Sequence, residues 1–153
     1  MIKLKLFQQS TGYCGPAVLK MILDFYGVSR TEKELVKLSG ATRERGVEAP
    51  ALLHVAKKLG FKGFIKDFSD LEDIKKYIKQ GIPIIVDWFS VDDGHYSVVV
   101  GIDKKYIYLN DPEFKKVRKL ELKIFKRVWF DYKGDSPVSS RDFIIRRMMV
   151  ITK

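Results

Sequence analysis

Residues 8–27 read QQSTGYCGPAVLKMILDFYG, and their apolar positions settle what the first element is. Ala17, Val18, Met21, Ile22 and Phe25 fall on one side of a 3.6-residue repeat. Pro16 sits early, where a first-turn proline is tolerated, and Gly27 follows as a stop. The pattern predicts a mostly buried helix from about Gly15 to Tyr26, with Cys14 at its N-terminus.

Further along, Thr31 and Glu34 have capping-box spacing for a short helix through Lys37. Glu48 to Leu59, closed by Gly60, predicts a third helix. Ser69 with Glu72 caps a fourth, which Gly81 closes. The period then changes. Pro83 to Phe89 and Tyr96 to Ile102 are apolar and β-branched, Lys105 to Leu109 alternates, and Asp103-Lys104 makes a tight turn between the last two. A strand near Lys115 to Leu120, a helix near Leu122 to Phe130, a loop over Lys133 to Arg141 and a strand over Phe143 to Ile151 complete the pattern. The expected fold class is α+β: a helical half over about residues 1–81 packs on an antiparallel sheet half over about 82–153. A chain of 153 residues suits one domain with one core.

Hydrophobic residues make up 46% and charged residues 31%, which excludes a disordered chain. The longest apolar runs, such as Ile82 to Val86, are too short to cross a bilayer, and the lysine-interrupted N-terminus is no signal peptide. The expected location is the cytoplasm. A formal charge of +10 comes mostly from lysines mixed with Glu and Asp; even the densest stretch, Lys115 to Arg127, carries no nucleic-acid-binding signature. The basic residues are read as solvated faces. One Cys and two His build neither a disulfide nor a tetrahedral Cys/His zinc site, so no metal or cofactor is expected.

A single cysteine is still a candidate nucleophile when a His elsewhere can pair with it. A thiol attacks acyl carbon as thiolate, and a helix N-terminus or a nearby imidazolium favours that form. Gly15 is expected to let substrate approach the backbone. The Cys14 amide can donate to a developing oxyanion, with Gln8 as a second donor six residues earlier. Of the two histidines, His54 lies amid Leu52, Leu53 and Val55 in a helical run and reads as a satisfied structural residue. His95 opens a core strand after Asp92-Asp93-Gly94, which suits a general base. Asp111, ending the strand that pairs back along the His95 strand, is the candidate orienter; Asp92, Asp93 and Asn110 are the alternatives.

The run from Gln8 to Ala17 resembles the active-site opening of the C39 peptidases and the wider C39-like group, which are papain-like enzymes. The likeness continues through Leu19 to Gly27, Gly81-Ile82-Pro83-Ile84, His95-Tyr96-Ser97-Val98-Val99 and Asn110-Asp111-Pro112. The resemblance implies a papain-like fold, with Cys14 as nucleophile, His95 as general base, Asp111 as orienter and Gln8 as oxyanion donor. It also implies a cleft between the helical and sheet parts and a peptide or protein substrate. Leader-removing members typically carry Asp before the nucleophile, where this chain has Tyr13, and are usually fused to a membrane-transporter segment. The expected activity is a cysteine peptidase or amidase working through an acyl-thioester. Transfer of the acyl group to another acceptor, deamidation, and non-catalytic peptide recognition are the competing functions.

Overall fold

The computed structural model describes residues 1–91 and 93–153; Asp92, one of the alternatives to Asp111, lies outside the described residues. In chain order the elements are α1 (Cys14–Phe25), α2 (Glu32–Ser39), α3 (Ala49–Lys58), β1 (Lys62–Lys66), α4 (Leu71–Lys79), β2 (Ile84–Ser90), β3 (Asp93–Ile102), β4 (Tyr106–Asp111), β5 (Lys116–Glu121), α5 (Leu122–Val128), β6 (Phe130–Tyr132), β7 (Phe143–Ile145) and β8 (Arg147–Thr152).

The apolar stripe after Cys14 is buried as its spacing demands. Val18, Leu19, Met21, Ile22 and Leu23 are each at most 1% exposed. Each such side chain stabilises the fold by roughly 1.5–3 kcal/mol relative to an exposed one. Their partners are Leu52, Val55 and Ala56 of α3 and one face of the sheet, through Ile85, Val98, Val100, Met149 and Ile151. The opposite sheet face, with Ile84, Val86, Trp88, Val99, Met148 and Val150, packs against Ile74 of α4, Phe125 of α5 and Trp129 at the end of that helix. Neighbouring strand residues therefore face different cores, and burial on both faces explains why β2, β3 and β8 read as continuous apolar runs.

The main sheet is antiparallel throughout, in the order β1-β8-β2-β3-β4-β5. The hairpin joining β3 to β4 turns where the sequence places it. Lys105 and Tyr106 donate their backbone N–H groups to Asp103 Oδ1 at 2.8 and 2.7 Å. The β3–β4 register shifts between Val99 and Gly101. Val99 and Ile102, three residues apart, consequently pack into the same core.

Four expectations are corrected. The helical half contains a strand, β1, which pairs with β8 at the sheet edge; its half-exposed, alternating KGFIK pattern is too short and polar to stand out. The α4 capping box is formed by Asp70 and Asp73, one residue later than expected, because the Ser69 hydroxyl donates to Lys66 O instead. The C-terminal strand is broken at Arg146, whose φ of 46° turns the chain from the small β6–β7 sheet into the main one. The fifth helix ends at Val128, and Phe130 begins β6.

Candidate active site

Cys14 is the first residue of α1, and the Tyr13 side chain does not cap the helix. Because Pro16 lacks an N–H, the Cys14 and Gly15 amides are the donors this helix end presents. Gly15 is needed for packing: a side chain there would strike Val47 and approach Tyr96. Cys14 itself is half-buried, with a free thiol.

β3 and β4 bring the other two groups together. The ladder pairs Val98 with Asn110, which sets Asp111 diagonally from His95 on one face. His95 is 6% exposed and Asp111 fully buried. His95 Nε2 donates to Asp111 Oδ1 at 2.7 Å, leaving Nδ1 as the ring nitrogen for the Cys14 side. Burial pulls the imidazole pKa down, but hydrogen bonds with Asp111 and Cys14 and their negative charges outweigh it and push it up to about 10. Burial likewise works to raise the Asp111 carboxyl, yet His95, Arg118 and the Glu113 N–H together hold it below the usual carboxylate range.

The two described alternatives to Asp111 are engaged elsewhere. Asp93 accepts from the neighbouring Gly94 N–H at 2.8 Å, and Asn110 Nδ2 donates to Leu4 O at 3.1 Å. His54 is exposed on α3, so it is a surface residue rather than a packed one. Gln8 arrives on the N-terminal segment, which is pinned to the sheet through Ile2 N–H to Val100 O and Gln9 N–H to Pro112 O. Its side-chain amide donates to Pro112 O at 3.2 Å and Glu113 O at 2.7 Å, beside the Asp111 turn.

Sequence reasoning missed Arg118, Ser90 and a carboxyl pair formed by buried Asp87 and half-buried Asp131. Arg118 Nη1 donates to Asp111 Oδ2 at 3.0 Å and to Ser90 Oγ at 2.8 Å. The signal that hides it is the lysine-rich run in which it lies; its strand position beside β4 is what sets it apart. Asp87, 3% exposed on β2, has an unpartnered Oδ1 and is held well above the usual carboxyl range by burial and by its contact with Asp131. The charges of Cys14 and Arg147 also reach it. The ligand atoms of His95, Asp111 and Glu113 lie within 4.8 Å of one another. Two of them already bond to each other and Asp111 also meets Arg118, so the set is more simply a hydrogen-bonded group than a metal centre.

A thiol on a helix N-terminus, set against an antiparallel sheet carrying the imidazole and its carboxylate, defines the papain-like class of fold. The chain belongs to the Peptidase C39 like family, which matches residues 1–137. It is 32% identical over 126 residues to an uncharacterized protein of Methanothermobacter marburgensis, covering 80% of each. It is 31% identical over 125 residues to the lactococcin-G-processing and transport ATP-binding protein LagD of Lactococcus lactis, covering 81% of this chain and 17% of that one. Among solved structures, the peptidase domain of Streptococcus ComA superimposes with a TM-score of 0.75 at 26% identity, over 99% of this chain and 98% of the other. A C39-like peptidase of Bacillus anthracis shares the fold at a TM-score of 0.73 and 16% identity, over 99% and 98%. No helix among the described residues is long and apolar enough to cross a membrane.

Proposed function

We propose that this chain is a cysteine peptidase that hydrolyses a peptide amide through an acyl-thioester on Cys14. The observation that carries the reading is the 2.7 Å bond from His95 Nε2 to Asp111 Oδ1, in a histidine whose imidazolium Cys14 and Asp111 both favour. The Cys14 thiolate attacks the carbonyl carbon, and the oxyanion is met by the Cys14 amide. Gln8 adds a second donor once its amide turns from the Pro112 and Glu113 carbonyls. His95 as imidazolium gives its proton to the departing amine. Water then attacks the thioester while His95 takes a proton, releasing the acid and restoring the thiolate–imidazolium pair. Asp111 keeps the ring oriented throughout.

Family membership and the likeness to transporter peptidase domains support a peptide or protein substrate. A structure of a double glycine motif protease with its leader peptide shares the fold at a TM-score of 0.71 and 21% identity, over 99% of this chain and 92% of that one. An essential free thiol fits work in the reducing cytoplasm. The same groups serve acyl transfer or deamidation, in which a different acceptor or leaving group enters the second half-reaction.

A peptide vinyl sulfone followed by intact-mass measurement tests the reading. The expected result is one adduct on Cys14, absent in Cys14→Ala and much slower in His95→Ala. Labelling at the rate of free cysteine in both wild type and His95→Ala would sink it.

A further inference from the structure

Asp111 is held from two sides, and only one of them is His95. Its Oδ1 accepts from His95 Nε2 at 2.7 Å and from the Glu113 N–H at 2.9 Å. Its Oδ2 accepts from Arg118 Nη1 at 3.0 Å. The torsion that turns a carboxylate plane is soft, so a group gripping the second oxygen decides how the first is aimed. Arg118 is itself fixed. It stands on β5 opposite Leu109, donates to Ser90 Oγ at the end of β2, and lays its guanidinium 5.0 Å from the Trp88 ring and 5.4 Å from that of Phe114. It thereby spans from the sheet edge across the ends of β4 and β3 to β2.

We propose that Arg118 is a positioning residue for the Cys14–His95–Asp111 site: it locks the Asp111 carboxylate against His95 and tempers the hold of that carboxylate on the imidazole proton. The inference rests on the peptidase reading above. The tempering follows from charge. Asp111 is shared between two cations, so the guanidinium makes the imidazolium less favourable than Asp111 alone would. Among the described residues, besides Asp111 from β4 and Cys14 from α1, the groups near His95 are Glu113 in the turn after β4 and Asp131 of β6, which packs over Gly94. None of them is a cation, so Arg118 is the positive charge that this site places behind the carboxylate.

The chain has two histidines, so 15N-labelled imidazoles give a spectrum in which His95 is assigned by comparison with His54→Gln. Arg118→Met should move the His95 titration to higher pH. It should also lower kcat on a peptide substrate by about 10–100-fold, with KM little changed. Arg118→Lys keeps the charge but loses the planar fork; it should leave the titration near wild type and still lower kcat. Circular dichroism checks that each variant folds, and the lysine variant keeps the test open if the methionine one does not. If His95 titrates as in wild type in Arg118→Met, and kcat is unchanged in both variants, the positioning role is wrong. If instead wild-type Cys14 alkylates no differently from Cys14 in His95→Ala, the peptidase reading fails first, so the two failures are told apart.

Discussion

The Asp131 carboxylate occupies the space that a side chain at Gly94 would need. Any Cβ at this position, one residue before His95, forces Asp131 out of its place and away from the Tyr132 N–H that donates to it at 2.7 Å. Gly94→Ala should therefore destabilise the protein by about 1–3 kcal/mol, as overpacking does, measured by urea denaturation. Pairing it with Asp131→Ala should recover most of that loss. An unperturbed Gly94→Ala would show that Asp131 turns aside freely.

Peptide hydrolysis and thiol alkylation should part company at high pH. The His95 imidazole, raised from 6.5 to about 10, must carry its proton to release the amine, so turnover should fall as pH rises through about 10. Iodoacetamide needs only the thiolate and should keep reacting there. The same proton stabilises the fold: the contribution is fully present below about pH 6.5 and is lost as pH climbs through about 10. A turnover profile rising in parallel with alkylation would contradict the imidazolium as acid.

Asp87 is raised in the folded state, so the native protein holds a proton that the unfolded chain gives up. Stability from this group is present near and below pH 4 and declines as pH rises through its folded value. Asp87→Asn, which can still donate to Asp131, should flatten that decline. The thermal midpoint measured at pH 5 and pH 8 should drop less for Asp87→Asn than for wild type. Equal drops would mean the buried carboxyl does not titrate differently on unfolding.

Asp111→Asn should lower kcat about as far as Arg118→Met does, because the amide oxygen can still accept from His95 while its NH2 meets Arg118 Nη1, a donor, where Oδ2 stood. Asp111→Ala should cost about 10²-fold in kcat, on the scale of lost acid–base alignment, and it also strands Arg118. Steady-state kinetics on both variants decides the point. An alanine variant with wild-type kcat would reduce Asp111 to a turn residue before Pro112.

Much of this arrangement was legible in the sequence because it is local. The Cys14 helix follows from a 3.6 period with Pro16 and Gly27 as punctuation. The His95 and Asp111 strands follow from two apolar runs and the Asp103 turn. What escaped depends on register between distant segments. Asp87 and Asp131 meet only because β6 folds over the start of β3, and Arg118 meets Asp111 only because β5 pairs with β4. β1 escaped for another reason: as an edge strand it buries little, so its side chains carry almost no apolar signature.

The register shift in β3 has a consequence for chain length. Before it, the odd-numbered residues His95, Ser97 and Val99 share a face with Trp88; after it, the even-numbered Ile102 joins that face. An uninterrupted strand would keep only one parity. It could bury Ile102 where it now lies, or aim His95 at Asp111, but not both. Deleting Val100, the unpaired residue of the shift, should leave a regular ladder with His95 and Ile102 still on one face, at the cost of the Val100 packing in the other core, whereas inserting a residue between Ser97 and Val98 should force a choice between a sound core and an aligned imidazole. The spacing of residues here, more than their identity, is what lets a stable sheet and a reactive site occupy the same strand.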